Sequence, residues 1–164
     1  MTTMISFHIP DDKDLLASIG EVALRHEHLN HILRMTIKTL AGLRPDEALD
    51  ATAYDGSRQL RVLIRKLAKQ RLGEGEPLLK LQALLECCRR VTDRRNDLIH
   101  RIWAKELDGE AVRRDSDNNW VPLPRIKDLK ALALETETLT HTLNTARLEG
   151  FISEAMAKRR WPAE

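Results

Sequence analysis

The sequence is poor in aromatic residues, glycine and proline. Its 164 residues include three Trp, two Phe, one Tyr, seven Gly and six Pro. Together with a high aliphatic content, this composition favours helices over strands. We therefore predict an all-α fold, and the length of the chain predicts a single domain over residues 1–164.

Long apolar runs and a cysteine framework are also missing. No segment approaches the ~20 apolar residues of a membrane-spanning helix, and the first residues, MTTMISFHIPDD, contain neither a basic nor a long hydrophobic stretch. We therefore expect a cytoplasmic protein with no membrane partner. The two cysteines, Cys87 and Cys88, are too few and wrongly spaced for a disulfide framework or a zinc site. Reduced core thiols are expected.

No charge of one sign dominates, because the formal net charge is only +2. Residues 57–72 (SRQLRVLIRKLAKQRL) nevertheless carry six basic residues and no acid. Such a helix face either follows a phosphate backbone or is a solvated surface that pairs with acids of a neighbouring element. The candidate RNA-binding residues of this segment are Arg58, Arg61, Arg65 and Lys69.

Apolar residues at alternating spacings of three and four predict the helices. The predicted helices cover residues 12–42, 45–53, 57–72, 77–107 and 124–158, with Asp11 or Asp12 and Ser57 as N-caps. Residues 108–123 fit a loop or a small hairpin, and residues 1–10 and 159–164 are expected to be flexible. Four main helices and a short one predict an antiparallel bundle.

An arginine interrupts the apolar stripe of the predicted helix 77–107. Extending the spacing that leads to Cys88 places Thr92 and Arg95 where apolar residues are expected. Burying an unpaired guanidinium is costly, so this face must meet a carboxylate, water in a cleft or an anionic ligand. Asn96 and His100 are neighbours on one face, and arginine is long enough to swing round to them. Such a cluster combines a positive charge for phosphate, an orienting amide and a group that titrates near neutrality.

The same residues admit a structural interpretation. A long charged helix often carries Arg and His side chains whose tips are solvated or hydrogen-bonded. The spacing also leaves open which arginine matters, because Arg94 lies six residues before His100 and Arg95 lies five before it.

Residues 95–100, Arg-Asn-Asp-Leu-Ile-His, resemble the Arg-x(4 to 6)-His motif of the HEPN superfamily, in which a polar residue commonly follows the arginine. The long first helix, the irregular segment before a basic helix, and Ile102-Trp103 after the histidine extend the resemblance. It implies a helical-bundle homodimer, many relatives of which are metal-independent endoribonucleases acting as toxins or defence effectors. The implied catalytic residues are Arg95, Asn96 and His100.

The resemblance also implies an alternative, since some members are non-catalytic dimerisation, nucleotide-binding or adaptor modules. For a toxin, a cognate antitoxin or a nucleotidyltransferase-like protein is the implied partner. Arg101 stands where many members have a small residue, and it either crowds the cleft or adds a phosphate contact. Arg94 and Arg101 complete the candidate RNA-binding residues.

Two further groups of residues are weaker candidates. His26, His28 and His31 lack the i,i+4 pair of a helical zinc site, and His26 lies on the apolar seam as a core histidine would. We therefore predict neither a metal nor a cofactor. Trp103 and Trp120 are candidates for stacking on bases or for anchoring the core, and the tail 158–161, Lys-Arg-Arg-Trp, adds only weak positive charge.

Overall fold

The computed structural model describes residues 4–159, which form six helices and four strands. The helices are α1 (Lys13–Ala41), α2 (Pro45–Ala51), α3 (Ser57–Leu72), α4 (Glu76–Ile99), α5 (Ile126–Leu148) and α6 (Phe151–Lys158). The strands are β1 (Ile5–Phe7), β2 (Trp103–Glu106), β3 (Ala111–Arg114) and β4 (Trp120–Pro122). The fold is thus predominantly α, as predicted, and the small hairpin considered for residues 108–123 is present as β3 and β4. The sequence did not predict β1 and β2, which extend the hairpin to a four-stranded sheet.

The ends of α1 follow the local signals in the sequence. Asp12 is the N-cap, and its carboxylate accepts a hydrogen bond from the backbone N–H of Leu15 at 3.0 Å. Gly42 ends the helix at φ 70°, a left-handed conformation that glycine adopts without steric penalty. Within residues 4–159, no helix combines the length and apolar character that crossing a membrane requires.

α1 lies at the centre of the helical part of the molecule. It packs most extensively against α5, and it also contacts α2, α3 and α4. The apolar stripes of these helices meet in one core, because each helix turns its i, i+3, i+4 positions inward. The largest fully buried side chains of this core include Leu29, Leu33, Leu60, Ile64, Leu81, Leu85 and Leu143.

The sheet is antiparallel with strand order β1-β2-β3-β4. Its register pairs Phe7 with Ala104 and Trp103 with Arg113. The prediction of a helix to residue 107 was wrong, since α4 ends at Ile99 and β2 starts four residues later. Hydrogen bonds to β1 and β3 satisfy the backbone N–H and C=O groups of β2. Pairing with strands distant in the chain leaves no periodic signal in the sequence.

The N-terminal segment contains a strand that the sequence did not predict. Ile5–Phe7, in the segment expected to be flexible, form β1 and pair with β2. All three residues of β1 are exposed, so no burial pattern marks the strand in the sequence. Residues 1–3 and 160–164, which include Trp161 and Arg160, lie outside the described residues.

Gly150 divides the predicted final helix into α5 and α6. Its backbone is extended, with φ −114° and ψ −153°, and it serves as the N-cap of α6. A Cβ at this position would lie 3.0 Å from Ala146 Cα and 3.2 Å from the Thr145 carbonyl oxygen. Only glycine tolerates this close approach without a shift of the backbone, so the glycine ends the helix that apolar spacing alone would continue.

Candidate functional site

Arg95, Asn96 and His100 lie together at the C-terminal end of α4. Arg95 Nη1 donates to Asn96 Oδ1 at 3.1 Å and lies 3.2 Å from His100 Nε2. Because a guanidinium only donates, His100 Nε2 is the acceptor in this contact, which places the proton of the neutral ring on Nδ1. The three predicted catalytic side chains therefore converge, with Arg95 half-buried and His100 exposed.

The end of α4 explains how residues five apart come into contact. His100 is the C-cap of the helix, with φ −100° and ψ 4°, and its backbone N–H bonds to the carbonyl of Asn96 at 3.0 Å. Its side chain is therefore not confined to the direction of a residue inside a helix. The long side chain of Arg95 spans the remaining separation.

The structure distinguishes the two neighbouring arginines. Arg94 Nη1 lies 2.5 Å from Glu135 Oε2 of α5, in an exposed ion pair. Arg94 therefore points toward α5, while Arg95 contacts His100. The spacing in the sequence could not separate these roles, because the choice depends on a partner 41 residues away.

Asp97 connects the motif to the sheet. Its Oδ2 accepts a hydrogen bond from Arg113 Nη1 of β3 at 2.7 Å, and its Oδ1 lies 3.6 Å from Arg101 Nε. The predicted RNA contact Arg101 is thus paired with a neighbouring acid. Arg113 was missed in the sequence, because only the pairing of β2 with β3 brings it beside α4.

Two guanidinium groups in this region keep unused donors. The Nε atoms of Arg95 and Arg113 are buried and have no hydrogen-bond partner. A buried donor without a partner is costly, so each arginine gains from a further acceptor. Because both Nε atoms are closed to solvent, an anionic ligand at the end of α4 would reach them only if these side chains moved.

The basic face of α3 is smaller than predicted. Arg58 and Lys69 are exposed and Arg65 is half-buried, but Arg61 is only 5% exposed. Arg61 lies one turn from Ile64 on the inner face of the helix, so an RNA contact through its side chain is not available at the surface. Burial lowers the pKa of the Arg61 guanidinium.

Arg61 instead belongs to a buried polar cluster of His26, Asn30, Ser57, Arg61 and Thr92, which links α1, α3 and α4. Arg61 Nη1 donates to Thr92 Oγ1 at 3.4 Å, and Ser57 Oγ donates to Asn30 Oδ1 at 2.6 Å. Ser57 is therefore not the predicted helix cap: the N-cap is the preceding glycine, and the hydroxyl bonds to α1 instead. Buried hydroxyls need such partners.

Hydrogen bonding in this buried polar cluster fixes the state of His26. Thr92 Oγ1 donates its single proton to the Cys88 carbonyl at 2.7 Å, so it accepts from His26 Nε2 at 3.0 Å. His26 Nδ1 then carries a lone pair, which is buried and has no hydrogen-bond partner. The pKa of His26 is lowered to about 4, chiefly by burial and also by the charges of Arg95 and Arg61, while Glu27 opposes the shift. His26 is a neutral core histidine, as its position on the apolar seam predicted.

The remaining candidate residues either contact other parts of the fold or are not arranged to hold a metal ion. The indole N–H of Trp103 donates to the Leu98 carbonyl at 2.9 Å, which anchors β2 to the last turn of α4. Trp120 is half-buried and stacks against the Arg114 guanidinium, 4.3 Å from the ring centroid. Among the described residues, no three His, Cys, Asp or Glu side chains are arranged to hold a metal ion.

Comparison with known proteins assigns the chain to no family. Neither the family models, the curated proteins nor the solved structures with which the chain was compared gave a match. The resemblance to the HEPN superfamily therefore depends chiefly on the motif in residues 95–100.

Proposed function

We propose that the protein is an HEPN-like, metal-independent endoribonuclease whose catalytic residues are Arg95, Asn96 and His100. The observation that supports this proposal is the 3.2 Å contact between Arg95 Nη1 and His100 Nε2 at the exposed end of α4. Cleavage of RNA without a metal needs a positive charge for the phosphate and a group that transfers protons. Both groups are present within one hydrogen-bond distance of each other.

In the proposed reaction, the ribose 2′-oxygen attacks the adjacent phosphorus as the bond from phosphorus to the 5′-oxygen breaks. His100 Nε2 takes the proton of the 2′-hydroxyl once Arg95 turns from the imidazole to the phosphate. Arg95 then stabilises the extra negative charge of the transition state, and Asn96 orients its guanidinium. The 5′-oxygen leaves with a proton from His100 of a second protomer, and the other product ends in a 2′,3′-cyclic phosphate.

The test is single-turnover cleavage of labelled RNA in excess EDTA. RNA should be cut and should carry 2′,3′-cyclic phosphate ends, while DNA of the same sequence survives because it lacks the 2′-hydroxyl. Loss of activity in EDTA would contradict the mechanism. If no RNA is cut, a non-catalytic dimerisation, nucleotide-binding or adaptor module becomes the better proposal. A nucleotidyltransferase-like protein encoded by a neighbouring gene would support a toxin with a cognate antitoxin.

The proposal includes a homodimer, in which two motifs form one composite site. Exposed apolar side chains support it: Ile102, 48% exposed, follows the motif, and Phe7 and Ile9, 88% and 76% exposed, lie on or just after β1, which pairs with β2. Beside them, an apolar cleft of about 200 Å³ is lined in part by Ile9 and Ile99. Sedimentation velocity at tens of micromolar should give twice the 18.8 kDa mass of the chain. A strict monomer would rule out the composite site.

The exposed basic residues of α3 are proposed to contact the RNA backbone. Changing Arg58 and Lys69 to Glu should weaken the binding of every RNA sequence, and should reduce the slope of log affinity against log salt by roughly 1 per lost contact. Arg44→Glu is the matched control. Arg44 is also exposed, but it is the N-cap of α2 and pairs with Asp46 of that helix. The free energy of unfolding should change little, since exposed charges contribute little. Unchanged affinity with the same salt slope would place the phosphate contacts elsewhere.

A further inference from the structure

A second cleft, of about 440 Å³, lies between α1 and α5. Its polar lining includes Arg25, His28 and His31 of α1 and Glu137, His141 and Asn144 of α5. On each helix these positions recur at spacings of three or four, so they form two facing polar stripes beside the buried Leu29 and Leu143. The volume is in the range of small-molecule sites, ~300–1,000 Å³.

The histidines of this cleft can supply hydrogen-bond donors to a ligand, because each neutral imidazole has one ring N–H. Three of the six histidines of the chain line the cleft. One carboxylate oxygen of the cleft is engaged, because Arg25 Nη1 lies 2.8 Å from Glu137 Oε1. His141 Nε2 lies 3.9 Å from the same oxygen, beyond hydrogen-bond distance. Asn144 Oδ1 accepts from Arg147 Nε at 2.9 Å, which leaves the amide NH₂ to donate elsewhere. A ligand rich in acceptors fits this arrangement.

We propose that the cleft binds a small molecule through a phosphate or carboxylate group, with His28, His31, His141 and the Asn144 amide as donors. The proposal does not depend on the nuclease function, because the lining residues belong to α1 and α5 and not to the motif of α4. Oxyanions accept several hydrogen bonds at once, and charged donors strengthen each bond.

The experiment titrates the chain with inorganic phosphate and, separately, with succinate at pH 6.0, following the imidazole signals by NMR. Saturable binding of at least one probe is expected. The two probes distinguish a phosphate ligand from a carboxylate ligand. Absence of saturable binding of either probe at pH 6.0 would overturn the proposal.

Variants assign the binding to the cleft. The double change His31→Gln and His141→Gln should lower the affinity at least tenfold, whereas His8→Gln, outside the cleft, should leave it unchanged; circular dichroism checks the fold of each. Equal affinity of the double variant and the wild type would overturn the proposal. An RNA oligonucleotide that displaces bound phosphate would assign the cleft to an RNA surface and would also overturn it.

Discussion

His100→Ala is expected to slow single-turnover RNA cleavage in EDTA by about 10²- to 10⁴-fold, because proton transfer by a positioned side chain contributes that much. Arg95→Ala should have an effect of about 10²- to 10³-fold through the lost stabilisation of the phosphate charge. The two effects should not add, since the side chains touch at 3.2 Å and act on one phosphate.

The neighbouring arginine provides the matched control for Arg95. Arg94→Ala removes an exposed arginine that pairs with Glu135, and it should leave the cleavage rate nearly unchanged. Arg95→Lys keeps the charge but loses the planar fork of donors, so its activity should be intermediate between Arg95→Ala and the wild type. Circular dichroism should show unchanged helix content in all variants. If His100→Ala and Arg95→Ala fold and cut as fast as the wild type, the proposed mechanism is wrong.

Local physics explains which elements of the fold the sequence predicts. α1 has a capping aspartate, a regular apolar stripe and a terminal glycine, and each acts within a few residues of its position. β1 has none of these signals, because its partner lies about one hundred residues away and its three side chains are exposed. The end of α4 was misjudged for the same reason: Ile102 continues the helical spacing, but pairing between strands determines the backbone there.

The arrangement of the candidate-site residues was also predicted correctly where the signal is local and incorrectly where it is not. Spacing along α4 grouped Arg95, Asn96 and His100, since residues near in sequence on a helix are near in space. Arg61 was misassigned, because the count of basic residues in α3 does not show which of them faces Thr92 across the helix interface. Arg113 was missed, because only the register of β2 and β3 places it beside Asp97. Interactions between distant elements decide both cases.

Protonation of His26 is expected to lower the free energy of unfolding by about 3 kcal/mol between pH 7 and pH 4, in addition to the contribution of the carboxyl groups. Burial lowers the pKa of His26 from 6.5 in the unfolded chain to about 4 in the folded protein. The unfolded state therefore binds a proton at a pH where the folded state does not. This contribution to stability is complete above pH 6.5, declines as the pH falls, and levels off below about 4.

Urea denaturation of the wild type and His26→Gln at pH 7, 6, 5 and 4 measures this contribution. The variant has no imidazole at this position, so its stability should decline less steeply between pH 6.5 and 4, even if it is less stable throughout. Acids with lowered pKa values, such as Asp46 and Glu76, destabilise both proteins equally in acid and cancel in the difference. His28→Gln is the matched control, since it removes an exposed histidine of the same helix and should leave the decline as in the wild type. Parallel curves for His26→Gln and the wild type would show that His26 takes up its proton equally well in the folded and unfolded chains, contrary to its burial beside Arg61 and Arg95.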